Sequence, residues 1–161
     1  SHFPAEFPAA MGSIAGVGMN PVELALNDQL TGGYKVLDLN RDAGDDGLLP
    51  YGDGSFDAVT CACSFDYLVR PIGVLREVHR VLRPGGIVLL AFSNRFFGTK
   101  ATRLWRTNGD RAHIELLNAY FHYAGGYGPR EAYDITAELN RKENWWDRLL
   151  PLLGRQDPMF V

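Results

Sequence analysis

"RVLRPGGIVLLAFSNR", residues 80–95, is the stretch whose reading decides the fold. A charged, helical run halts at Pro84-Gly85-Gly86, six apolar residues follow from Ile87 to Phe92, and the chain turns polar at Ser93-Asn94-Arg95. Upstream, Pro71 suits a first helical position, and Val74, Leu75, Val78, Val81 and Leu82 recur at helical spacing. The residue before a proline avoids the α region, so this helix is expected to end at Arg83. Gly85 or Gly86 can take a positive φ and turn the chain back at little steric cost. "IVLLAF" shows no alternation of apolar and polar residues. That predicts a strand covered on both faces, as parallel strands flanked by helices are.

Working outward, the same alternation of short apolar runs with helical ones recurs. "SIAGVGMN" (13–20) reads as a strand followed by a helix start, with Asn20 as N-cap, Pro21 at the first helical position and Glu23 completing a reciprocal cap. "ELALN" is a brief helix closed by "TGG". "YKVLDLN" (34–40) is a strand, 42–55 a loop and turn, and "SFDAVTCAC" (55–63) a third strand. Helices are expected at about 99–107 and 110–124. The second carries Leu116, Leu117, Tyr120, Phe121 and Ala124 on one stripe, with Asp110 near its start and Gly125-Gly126 at its end.

Strands alternating with helices predict right-handed crossovers and a single α/β domain over 1–161, an open, doubly wound, mostly parallel sheet. In such sheets the ligand sits beyond the carboxyl ends of the strands. The polar tips to inspect are therefore Gly18-Met19-Asn20, Asp38-Leu39-Asn40, Cys61 to Tyr67, and Ser93-Asn94-Arg95.

Bulk properties narrow the function classes. The chain has 161 residues, 46% hydrophobic and 22% charged, as expected of one globular domain. A net charge of −3 offers no broad basic field, so neither a nucleic acid nor an anionic membrane is an expected partner. Ile87–Phe92 is far short of the roughly 20 apolar residues of a spanning helix. The start, "SHFPAEFPAAMG", has neither the basic residues nor the apolar run of a signal peptide. Cys61 and Cys63 share a strand face, where a disulfide would be strained, and the four histidines are scattered, so no metal site is expected. Reduced cysteines fit the cytoplasm or the soluble interior of an organelle.

Three segments carry a family resemblance. "LLPYGDGSFDAVTCACSFDYL" (48–68), "VLREVHRVLRPGGIVLLAFSN" (74–94) and "IAGVGMNPVELA" (14–25) resemble class I S-adenosylmethionine-dependent methyltransferases of the type 11, small-molecule group. The Ser-Phe-Asp block followed by Arg-x-Leu-Arg-Pro-Gly-Gly at this spacing is the specific part. The resemblance implies a Rossmann-like sheet, S-adenosyl-L-methionine as cofactor and a small-molecule methyl acceptor. It assigns residues 14–94 to the cofactor side and 95–161 to the acceptor side and terminal elements.

Position by position, the resemblance places Gly18, Met19 and Asn20 at the ribose, where the family's usual carboxylate is replaced by Gly18 and Asn20 is a neutral substitute. It places Asp38 and Leu39 at the adenine, with Asp42 a second candidate. Cys61 and Ala62 match the strand tip whose backbone approaches the methionine part. The family's first strand and glycine-rich turn are expected before "SHFPAEFP", and "DPMFV" (157–161) resembles a last strand cut short. The chain is therefore expected to be a fragment, incomplete at both ends and weakly active alone. The alternative is a non-catalytic, methyltransferase-like partner subunit that has lost cofactor binding.

Methyl transfer from a sulfonium is an in-line displacement on an activated carbon, so the protein mainly aligns the nucleophile and excludes water. Candidates for orienting or activating an acceptor are Asp66, Tyr67 and Asn94. The structural reading of the same residues has Asp66 capping a turn and Tyr67 packed under it. Asp57 is expected to fix the turn before its strand, His79 to lie on a solvated face, and His113 and His122 to sit on the surface or in helix packing. His2 is a further candidate near the cofactor. "NRFFGTKATRLWR" reads either as a cap over an acidic or aromatic substrate or as an amphipathic helix. Trp145-Trp146 reads as part of a packed terminal helix.

Overall fold

A computed structural model describes residues 11–41, 49–135 and 159–160 of the chain. These divide into two compact units, Ser1–Pro50 and Tyr51–Val161. In the first, β1 (Gly16–Gly18) pairs in parallel with β2 (Tyr34–Val36), with Gly16 opposite Tyr34 and Gly18 opposite Val36. Between them lies α1 (Pro21–Ala25), whose cap forms where it was expected. Asn20 Oδ1 accepts from the Val22 amide at 3.0 Å and the Glu23 amide at 3.4 Å, with Pro21 at the first helical position. A Cβ on Gly16 would come within 2.8 Å of the Leu30 side-chain tip, which would have to shift to admit it.

The second unit holds β3 (Phe56–Ala62), a single 3₁₀ turn (Phe65–Tyr67), α2 (Pro71–Val81), β4 (Leu82–Ser93), α3 (Arg103–Arg106), α4 (Asp110–Ala124) and β5 (Met159–Phe160). β3 and β4 are parallel neighbours, and β5 pairs antiparallel with the other edge of β4. The apolar stripe of α2 is the centre of the core: Val74, Leu75, Val78, Val81 and the following Leu82 are all buried. α2 packs against α4, and three contacts strap its flank to the end of α4. Tyr127 Oη donates to the Leu75 carbonyl (2.6 Å), Arg76 to the Tyr123 carbonyl (3.2 Å), and His79 Nε2 lies 3.2 Å from the Gly126 carbonyl. His79 thus has a partner despite its exposed position.

The opening stretch folds as a clamp. Arg80 bonds Asp53 (2.7 Å), Glu77 (2.8 Å) and the Tyr51 carbonyl (2.9 Å), while Arg83 bonds Asp57 (2.6 Å) and the Gly54 carbonyl (3.2 Å). The two motif blocks are therefore one physical unit, and Asp57 fixes the turn. Gly85 takes φ +81, and a Cβ on Gly86 would lie 2.9 Å from the Arg83 carbonyl oxygen and 3.1 Å from that of Asp57.

Four details differ from the sequence expectation. The helix ends at Val81 rather than Arg83, because Leu82 is already extended and opposite Phe56; Arg83–Gly86 then bulge out before Ile87 pairs with Ala58. The strand "IVLLAF" is covered on one face only. Phe92, on the face of Val88 and Leu90, meets Trp105 of α3 and His113 of α4, while Ile87 and Leu89 on the opposite face are 63% and 47% exposed. The helix expected at 99–107 shrinks to Arg103–Arg106, because Thr102 is held extended with its amide on the Asp66 carbonyl. Cys63 leaves the strand with φ +48. No helix of the described residues is long and apolar enough to cross a membrane.

Candidate functional site

Parallel pairing aligns the carboxyl ends of neighbouring strands, and in each unit the expected tip residues meet there. In the first unit the Leu37 amide donates to the Gly18 carbonyl at 2.9 Å, which sets Gly18-Met19-Asn20 beside Asp38-Leu39. Asp38 turns the chain: its Oδ1 accepts from the Asn40 amide at 2.9 Å and its carbonyl from Arg41 at 3.0 Å. Met19 is 67% exposed, whereas Asp38 and Leu39 are half-buried. The Asn20 side-chain oxygen is committed to capping α1.

In the second unit the Cys63 amide donates to the Ala91 carbonyl at 2.7 Å, joining the tips of β3 and β4. Cys61 Sγ lies 3.2 Å from Ser64 Oγ; burial pushes the thiol upward in pKa, and the serine contact opposes this. Beyond the tips the 3₁₀ turn places Asp66 inside and Tyr67 half-buried, while Asn94 stays exposed. Tyr67 Oη accepts from the Phe97 amide at 3.1 Å. Its ring lies 6.4 Å from that of Phe97, over which Lys100 Nζ sits at 5.6 Å.

Burial raises the Asp66 carboxyl above the usual carboxylate range, against hydrogen bonding from Tyr67 and the influence of His113. Burial likewise raises the Tyr67 phenol. Of the three candidates, Asn94 is exposed, Tyr67 half-buried and Asp66 buried. Arg95, Lys100, Arg103 and Arg106 are exposed, while Trp105 from the same segment is buried, as in an amphipathic turn. His2, Asp42 and Trp145-Trp146 lie outside the described residues.

His113, expected on the surface or in helix packing, is in the packed interior, and the stacking it makes there was not foreseen. His113 and Trp105 are both buried and stack face to face, 4.0 Å apart. The available signal was that His113 precedes Leu116, Leu117 and Tyr120 at i+3, i+4 and i+7, on the apolar stripe of α4.

The family described as "Methyltransferase domain" matches residues 3–90. The chain is similar to demethylmenaquinone methyltransferase of Deinococcus radiodurans, 49% identical over 61 residues, covering 37% of this chain and 25% of that protein. It is also similar to the protein of the same name from Renibacterium salmoninarum, 35% identical over 85 residues, covering 52% and 36%. The chain thus spans about a quarter to a third of the length of these relatives. The fold is shared with an S-adenosylmethionine-dependent methyltransferase from Mesorhizobium loti at TM-score 0.57 and 17% identity, covering 92% of this chain and 78% of that one.

Proposed function

Because this chain belongs to the methyltransferase-domain family, we propose that it takes part in S-adenosylmethionine-dependent methyl transfer to a small-molecule acceptor. The observation that supports this most directly is the pair of tip constellations. In each unit, polar residues gather beyond the carboxyl ends of neighbouring parallel strands, where ligands of such sheets bind.

The donor set suits the cofactor at its adenine end. A carboxylate offers about four acceptor sites, so Asp38 can take the adenine amine as well as the Asn40 amide, with Leu39 against the ring. At the ribose the set is thinner. Gly18 brings no carboxylate, Met19 offers apolar surface, and Asn20 can only donate through its amide N–H groups. In the second unit, the family resemblance assigns Cys61 and Ala62 to the methionine part. When bound, the cofactor supplies a methyl group already activated on a sulfonium.

What remains for the chain's own residues is alignment and exclusion of water. Asn94 and the Tyr67–Phe97 ring pair form the acceptor side, with Asn94 orienting a hydroxyl or carbonyl. The chain's similarity to demethylmenaquinone methyltransferases makes a quinone ring the first acceptor to try.

Titration of the full chain with S-adenosylmethionine tests the reading. Saturable micromolar binding, weakened at least tenfold by Asp38→Ala, is expected. Absence of binding would instead favour the non-catalytic partner-subunit reading.

A further inference from the structure

From Val78 to Gly109 the sequence holds no acidic residue. It holds six arginine and lysine side chains, of which Arg80 and Arg83 are engaged with Asp53, Glu77 and Asp57. The other four, Arg95, Lys100, Arg103 and Arg106, fall within twelve residues just past the end of β4, and all are exposed. Lys100, Arg103 and Arg106 meet no carboxylate among the described residues.

The segment that carries these three is anchored from below. The Phe97 amide donates to Tyr67 Oη at 3.1 Å, the Phe97 carbonyl accepts from the Lys100 and Ala101 amides at 2.8 and 2.9 Å, and the Thr102 amide donates to the Asp66 carbonyl at 3.1 Å. Ala101 and Trp105 are buried. With Trp105 turned inward, helical geometry sends Arg103 nearly opposite, with Leu104 and Arg106 on either flank. Leu104 is 52% exposed and Phe97 70%, and Lys100 Nζ sits 5.6 Å from the Phe97 ring centre. Two apolar side chains are thus set outward among three cations.

An ordinary solvated surface intersperses charges of both signs, whereas this one carries a single sign around apolar groups. The expectation that an anionic membrane is no partner rested on a net charge of −3, a sum that averages this segment away. Salt at about 0.1 M screens charges beyond roughly 10 Å, so a surface in contact with the segment meets its cations and not the distant acids. Cations that reach lipid phosphates, beside Phe and Leu that enter the acyl boundary, are the composition of an interfacial anchor. A nucleic acid would want several rings on which bases stack, and Phe97 is the one exposed aromatic residue from Asn94 to Gly109. We propose that residues 97–106 are a peripheral docking face for an anionic lipid bilayer, with Lys100, Arg103 and Arg106 on lipid phosphates and Phe97 and Leu104 in the headgroup boundary. This stands independently of the methyl-transfer reading, and its test needs no cofactor.

Co-sedimentation of the full chain with large unilamellar vesicles tests the proposal. One set is phosphatidylcholine alone, and the other contains about one-third phosphatidylglycerol. Each cation near an anionic surface contributes about fivefold in partition, so the three predict about a hundredfold preference for the mixed vesicles. The preference should shrink as salt rises from about 0.05 to 0.3 M. Equal partition on the two sets at low salt would overturn the docking face.

Lys100→Gln, Arg103→Gln and Arg106→Gln together should lower partition on the mixed vesicles to that on neutral ones. Phe97→Ser should weaken it about tenfold and leave its salt dependence unchanged. The salt series on the unmutated chain keeps the test decisive should a variant not fold. A triple variant that binds as the unmutated chain does would remove this face as the contact, and unchanged partition of Phe97→Ser would sink the inserted side chain. Binding to polyglutamate or RNA without binding to vesicles would assign the cations to an acidic polymer and overturn the lipid reading.

Discussion

β1–β2 and β3–β4 are both parallel pairs joined through a helix, yet they are held by different means. Every buried residue of the described chain lies in the second unit, around α2, α4 and one face of β4. In the first unit the described residues are half-buried or exposed, and its geometry rests on three-residue strands, the Asn20 cap and the Asp38 turn. The same local pattern of strand, cap and helix can thus be legible with or without an apolar core behind it. Where none of the described residues is buried, backbone hydrogen bonds and capping side chains carry the shape of those residues.

The contrast is broken most severely through the core. Leu75→Ala, at a fully buried position of α2, should cost the second unit about 2–5 kcal/mol. Denaturant unfolding followed by helical signal would read it, and a loss below about 1 kcal/mol would mean that α2 is not the centre of packing. Gly86→Ala comes next, since its Cβ must enter a space bounded by two backbone oxygens at 2.9 and 3.1 Å. Overpacking of this kind costs about 1–3 kcal/mol.

In the first unit the corresponding weak point is the cap. Asn20→Ala should lose about 1 kcal/mol and raise amide exchange at Val22 and Glu23, leaving the second unit's unfolding unchanged. The smallest effect belongs to Asp57→Ala. Its pair with Arg83 is 2.6 Å long but largely solvent-exposed, so a loss under about 1 kcal/mol that shrinks further with salt is expected. A large, salt-insensitive loss would place the clamp among the principal stabilising contacts.

What could be read from sequence follows the same division. The α2 stripe was legible because five apolar residues at helical spacing admit one buried face. The Ser-Phe-Asp and Arg-Pro-Gly-Gly blocks were legible through the family resemblance, but the Arg83–Asp57 pair that joins them was not, because sequence does not say which carboxylate an arginine meets. The tips were found because parallel strands must end together. The helix end was misplaced by two residues because pairing of Leu82 with Phe56 precedes the proline restriction in the chain.

Ile87 and Leu89 looked covered because composition cannot distinguish a strand with two packed faces from one with a single packed face. Asp66 could be read either as an acceptor-orienting candidate or as a turn cap, because a three-residue turn has no periodicity to reveal which way it points. His113 lies on another element from Trp105, and only the fold stacks the two.

The uncovered side of β4 has a practical result. Ile87 and Leu89 stand in register with Ala58 and Thr60 of β3, the edge strand of this sheet among the described residues. A greasy surface beside a sheet edge invites sheet-to-sheet adhesion. Colloidal behaviour will therefore be governed by that side, with precipitation most pronounced as the charge vanishes near pH 5.8.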